Sequence, residues 1–226
     1  MDGDGDADLV AGNMGLNTLL RASPDEPLEL FLNDFDNNGR IDPILSQFQD
    51  GNRYPVANLD ELNRQFNGLD RRYPTFASFA GQHLEEVFDP ELLKRSFHRT
   101  VHSLASTLFR NDGQGNFEAL PLPEPAQFSA IRALVALPPD DGNGTPDILF
   151  CGNLLSARPS LGSQDASLGG ILSWEEGRIQ ARIPQETGLM LRGDQRKIGW
   201  ISLSGHRCLL VAQNDGILRC LSTEPE

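Results

Sequence analysis

Basic residues are scarce in this chain of 226 residues. Nineteen Lys and Arg stand against 32 Asp and Glu, leaving a net charge of −13. A protein that grips a phosphate backbone needs a basic patch, so this balance argues against nucleic acid and favours cations or plain solubility. Cysteine is scarce too: Cys151, Cys208 and Cys220 are widely spaced and sit in apolar runs. They make neither a disulfide framework nor a CxxC metal knuckle, and the expectation is buried free thiols. No apolar run approaches the roughly 18 residues of a membrane span. GxSxG, GxxxxGK[ST] and GxGxxG contexts are missing, so nucleophile-elbow and phosphate-loop enzymes have no support. The chain opens directly on "MDGDGDADLVAGN" without a signal peptide. A start inside a charged loop predicts an N-terminally truncated fragment.

What is present is turn-rich and strand-like. The chain holds 22 Gly and 15 Pro at 38% hydrophobic content, the composition of a globular protein with many turns. Short apolar runs such as "LELFLND" (28–34), "DPILSQF" (42–48), "IRALVAL" (131–137), "DILFCGN" (147–153), "KIGWISL" (197–203) and "RCLLVAQ" (207–213) are bounded by Gly, Asn, Asp and Pro. Turn signals at 111–116, 175–177, 204–206 and 214–216 separate several of them. This grammar predicts an all-β protein of consecutive antiparallel hairpins. Residues 58–102 differ, with Leu62/Phe66 and Leu93/Phe97 at helical spacing. "DPELLKRSF" opens with Asp89 as N-cap, Pro90 at the first helical position and Glu91 in the first turn. These start signals predict a small helical insertion that decorates a strand connection.

The stretch "NDFDNNGRIDPIL" (33–45) crowds three carboxylates and two amides into the nine residues 34–42. Carboxylates this close repel one another unless they are solvated or share a cation. Calcium takes six to eight hard oxygens from a tight loop. Asp34, Asp36 and Asn38 supply side-chain oxygens at positions 1, 3 and 5. Gly39 permits the turn, the Arg40 carbonyl reaches in at position 7, and Asp42 closes at position 9. An EF-hand is excluded, because position 12 is Leu45 rather than Glu and the next element reads as a strand. The same register gives Asp2, Asp4, the Asp6 carbonyl and Asp8 in a first loop that lacks position 1. A third, eroded loop has Pro139 at position 1, then Asp141, Asn143, the Thr145 carbonyl and Asp147. In two of the three repeats the following strand ends in Gly-Asn, at Gly12-Asn13 and Gly152-Asn153.

With "DFDNNGRID" and "DGDGDADLVAGN", the chain resembles the FG-GAP/VCBS repeats of integrin-alpha-type β-propellers. The order of "GDADLVAGNMGLN", "RYPVANLDELNRQF", "NDGQGNFEALPLP", "PDILFCGNL" and "QDASLGGIL" is similar to the carboxy-terminal part of large bacterial VCBS-repeat proteins. The resemblance implies a single partial β-propeller over 1–226 with about three and a part four-stranded blades. The division it suggests is 1–27, 28–123, 124–190 and 191–226, with the helical insertion at about 58–102. It further implies calcium held between two strands of a blade by Asp34, Asp36, Asn38, Arg40 and Asp42, and in the first loop by Asp2, Asp4, Asp6 and Asp8.

The function expected on these grounds is a non-enzymatic scaffold, adhesion or interaction surface outside the cytoplasm, extracellular, periplasmic or at the cell surface. Its partner would be a protein or a glycan, with no nucleic acid and no membrane span. The rival is a carbohydrate-binding module or a propeller-type polysaccharide-active subunit, which clustered aromatics and carboxylates would favour. Trp174, Trp200 and Tyr54 lie on separate strands, so core packing is the expectation for them. His98 and His102, four apart, would share a helix face, but they have no third ligand and no HExxH pattern. They read as ordinary histidines, as do His83 and His206.

Overall fold

A computed structural model describes residues 1–139, 145–203 and 205–222. The chain is mostly β, with four antiparallel sheets and no closed barrel among the described residues. β1 (Leu9–Ala11) comes first. The hairpin strands β2 (Leu28–Asn33), β3 (Asp42–Gln49) and β4 (Asn52–Pro55) follow. Five short helices come next: α1 (Leu59–Gln65), α2 (Leu69–Arg72), α3 (Phe76–Phe79), α4 (Leu84–Val87) and α5 (Pro90–Arg95). β5 (Phe97–Val101) returns to pair with β2, closing a sheet in the order β4-β3-β2-β5. β6 (Thr107–Asn111) and β7 (Phe117–Pro121) form a sheet with β1. The meander β8 (Ile131–Ala136), β9 (Ile148–Gly152), β10 (Gly170–Glu175) and β11 (Arg178–Arg182) is the second four-stranded sheet. After α6 (Pro184–Thr187), the strands β12 (Gln195–Leu203), β13 (His206–Gln213) and β14 (Arg219–Ser222) make the last one.

The chain divides into two compact units, Leu19–Leu104 and Met1–Thr18 with Ala105–Glu226. In the first, Phe31 and Ile44 face each other across the β2–β3 ladder and meet an apolar layer from the helices. Leu59, Leu62, Phe66, Leu84, Phe88 and Leu93 supply much of it. Each helix is too short to be stable alone, so this shared core is what holds them. The caps still matter locally. Asn58 and Glu61 form a capping box on α1, and Asp89 caps α5 ahead of Pro90 as the sequence predicts.

Helix ends at Arg95, so the expected Leu93/Phe97 pairing does not form. Leu93 is buried, whereas Phe97 is exposed on β5. The free edge of β2 captures residues 97–101, and His98 therefore lies on a strand, not on a helix with His102.

In the second unit the middle sheet is apolar on both faces, because alternate residues of a strand point to opposite sides. Phe150 and Leu172 pack toward the β1-β6-β7 sheet with Leu108. Leu149 and Cys151 pack the other way with Ile198, Leu209 and Val211 from β12 and β13. Strands of 28–123 were expected to share one blade, but they fall in two sheets: β6 pairs with β1, through Leu9↔Phe109 and Ala11↔Thr107, rather than with β5. The repeated Gly-Asn has a packing cause. A Cβ on Gly152 would stand 1.8 Å from the Ala130 carbonyl oxygen, so only glycine allows this approach. Asn153 then ties loops together through its side chain, donating to the Ser167 and Gly193 carbonyls and accepting from the Ser167 N–H. Cys151 and Cys208 are buried as expected, but Cys220 is exposed.

Candidate metal centre

β2 and β3 pair in register up to Asn33↔Asp42, and the acidic stretch is the connection between them. Its backbone curls because Asn37 and Gly39 take left-handed conformations, with φ of 57° and 82°. Asparagine and glycine tolerate that region best. Asp34 accepts from the Asn38 and Gly39 N–H groups at 3.0 and 2.8 Å. Asp36 accepts from the Asn38 N–H at 3.2 Å, and Asp42 from the Phe35 N–H at 3.2 Å. The result gathers one oxygen each from Asp34, Asp36 and Asp42 within 4.8 Å of one another. Oxygens on a common calcium, each about 2.3–2.6 Å from the ion, are at most about 5 Å apart, so this spacing suits a shared cation.

The electrostatics point the same way. Asp42 is buried at the start of β3. Burial, then the charges of Asp36 and Asp34, push its carboxyl above the ordinary range, against hydrogen bonds from the Phe35 N–H and Gln65. A divalent ion would reverse the repulsive part. Asn38 turns its side-chain oxygen to the Arg40 N–H at 2.8 Å, and both residues are exposed.

The helices contribute residues that sequence reasoning did not single out. Asn67 donates from its backbone and side chain to Asp36 Oδ2 at 3.3 and 3.5 Å. Gln65 Nε2 donates to the Pro43 carbonyl at 3.2 Å, and Asn33 Nδ2 to the Leu92 carbonyl at 3.1 Å. Phe35, between two of the aspartates, packs against Phe66 and Phe88 with ring centroids 6.4 and 5.4 Å away. The insertion therefore braces the loop instead of merely decorating a connection. A signal was present: a phenylalanine between two ligand positions has no place in a purely solvated turn.

The other two loops differ. In the first, the Asp4 and Asp6 N–H groups donate to Asp2 Oδ1 and Asp4 Oδ1 at 3.2 and 2.9 Å, a chain of Asx turns. Asp8 accepts from the Asn111 N–H at 2.9 Å and pairs with the Met1 ammonium. Burial pushes the Asp8 carboxyl up, but the ammonium and the backbone donors outweigh it and leave it lowered. Among the described residues, Asp2, Asp4, Asp6 and Asp8 are not gathered into a cluster like that of Asp34, Asp36 and Asp42. In the third loop Asp141 and Asn143 lie outside the described residues, while Asp147 pairs with Arg182.

His98 Nε2 lies 3.0 Å from buried Glu29, with its ring stacked on Phe31 at 4.5 Å. His102 Nε2 lies 3.1 Å from Thr100 Oγ1. Neither joins a metal-ligating cluster among the described residues. No helix among those residues is long and apolar enough to cross a membrane. No family model, curated protein or solved structure matches the chain.

Proposed function

We propose that the chain is a calcium-binding β-repeat module of the FG-GAP/VCBS kind, a partial propeller that serves as a scaffold or interaction surface outside the cytoplasm. The observation that carries the reading is the convergence of Asp34, Asp36 and Asp42 on one point of the β2–β3 connection. Asn38 and the Arg40 carbonyl complete the expected oxygen set. Support for a propeller-type arrangement comes from the second unit, where successive meanders stack and the middle sheet is apolar on both faces. Neighbouring blades need that double-sided burial. In this reading calcium rigidifies a loop and drives no turnover.

Terbium luminescence and calorimetry test it. The wild-type chain should bind with a calcium-competed signal that Asp34→Ala and Asp36→Ala abolish. Magnesium should compete poorly, since it dehydrates reluctantly and prefers octahedral cages. Absence of any saturable signal at millimolar calcium would leave the loop a solvated turn and end the proposal.

A further inference from the structure

Within the second unit, a cavity of about 830 Å³ lies where the β8–β11 sheet meets β12. Ile171, Ser173 and Glu175 line it from β10, alternate residues on one face of that strand. Trp174, between them in sequence, packs against the core of Phe150 and Leu172 and also borders the cavity. Trp200 on β12 forms the facing wall. Its Nε1 donates to the Ala136 carbonyl at 2.9 Å, and Arg207 lays its guanidinium 4.3 Å from the ring centroid. The indole is thus fixed in place and already carries one organic cation.

The charge of the lining is unbalanced. Among the described lining residues Arg182 is the single cation, and it pairs with Asp147; Arg207, on the Trp200 ring, is not one of those lining residues. Glu175 and Glu186 have no ion pair among the described residues. Glu175 accepts the Ser173 hydroxyl at 2.7 Å, and Glu186 accepts the Ile183 N–H at 2.8 Å, so both are held in place. An indole, an apolar floor and two uncompensated carboxylates together favour a cation on an aliphatic stem. An anion is repelled, and a neutral sugar, whose hydroxyls could also donate to these carboxylates, would gain no charge pairing from them.

We propose that this cavity is a binding site for a guanidinium or ammonium group on an aliphatic stem. The stem lies on Ile171 and Trp200, and the charged head faces Glu175 and Glu186. The site is separate from the acidic β2–β3 loop and stands without it.

The test uses the full chain with Trp174→Phe, which leaves Trp200 as the single indole. Its fluorescence is followed at low salt while n-butylguanidinium, spermidine, a short peptide with one arginine, methyl glucoside or butyrate is added. A saturable change with the cations is expected, weakened about tenfold by Glu175→Gln with Glu186→Gln, as the loss of a charge-assisted contact implies. It should also weaken at high salt. Tighter binding of the peptide than of spermidine assigns the cation to a protein partner, and the reverse assigns it to a small polyamine. No saturable change with any cation overturns the proposal. So does a response to methyl glucoside alone, or one that the glutamate substitutions leave unaltered.

Discussion

Asp42 sits at the mouth of β3 with its carboxyl raised, first by burial and then by the charges of Asp36 and Asp34. A carboxyl whose folded value exceeds its unfolded one binds more protons in the native state across that window. Stability of the calcium-free protein therefore falls as pH climbs from the ordinary Asp value of 3.8 through the raised one. Asp42→Asn removes this penalty and keeps an acceptor for the Phe35 N–H. In EDTA at neutral pH its urea midpoint should exceed that of wild type, and the gap should narrow on acidification and close below the ordinary Asp value of 3.8. A midpoint below wild type at neutral pH would contradict the repulsion. Two glycines separate crowding from strain. Gly152→Ala drives a methyl into the Ala130 carbonyl, and a loss of about 1–3 kcal/mol is expected in urea melts. Gly39→Ala meets no neighbour and bears only the cost of its φ of 82°, about 1 kcal/mol. Thiol labelling gives a third reading. Burial pushes Cys151 up to about 12, so it should resist iodoacetamide in the native state while exposed Cys220 reacts.

At the scale of elements, the helical insertion and the β2–β3 connection share one apolar core. Phe35 is gripped by Phe66 and Phe88, and Asn67 holds Asp36. Deleting most of 66–100 should therefore abolish terbium binding, although the segment lies outside the ladder between β2 and β3. A milder pair of variants isolates the cause. Phe88→Ala removes a buried ring at a cost of about 3–5 kcal/mol, while Asn67→Ala should leave the fold intact and weaken terbium severalfold. Unchanged affinity in both would show that the loop shapes itself. The loop was legible in the sequence because its alternating oxygens and its glycine are local signals. So were Asp89 and Pro90, which start α5, and the apolar runs that became β2, β3, β8, β9, β12 and β13. What sequence could not supply is pairing across distance. Nothing in 97–101 announces that β2 has a free edge for it, and nothing in 9–11 names β6 as a partner ninety-odd residues on. Trp174 and Trp200 read alike as core residues, and each does pack against a core, yet only sheet stacking brings both to the border of one cavity.

For the whole molecule, the question is whether the two compact units melt together, and calcium distinguishes the cases. An ion that binds only the folded state adds RT ln(1 + [L]/Kd). With a Kd on the order of 0.1 mM, 1 mM calcium contributes about 1.4 kcal/mol. Asp34, Asp36 and Asp42 all belong to the unit Leu19–Leu104. If that unit melts alone, its small size makes the shift large, roughly 6–11 °C, in one of two transitions. If the chain melts as one cooperative block, the same free energy spreads over a larger entropy and the shift is roughly 3–6 °C in a single transition. Calorimetric scans in EDTA and in 1 mM calcium measure this directly. Asp34→Ala should remove the shift in either case, and Asp4→Ala should leave it in place, since the first loop gathers no comparable cluster. A calcium shift that survives Asp34→Ala and disappears with Asp4→Ala would move the ion to the amino-terminal loop. The brace of Asn67 and Phe35 would then serve packing alone.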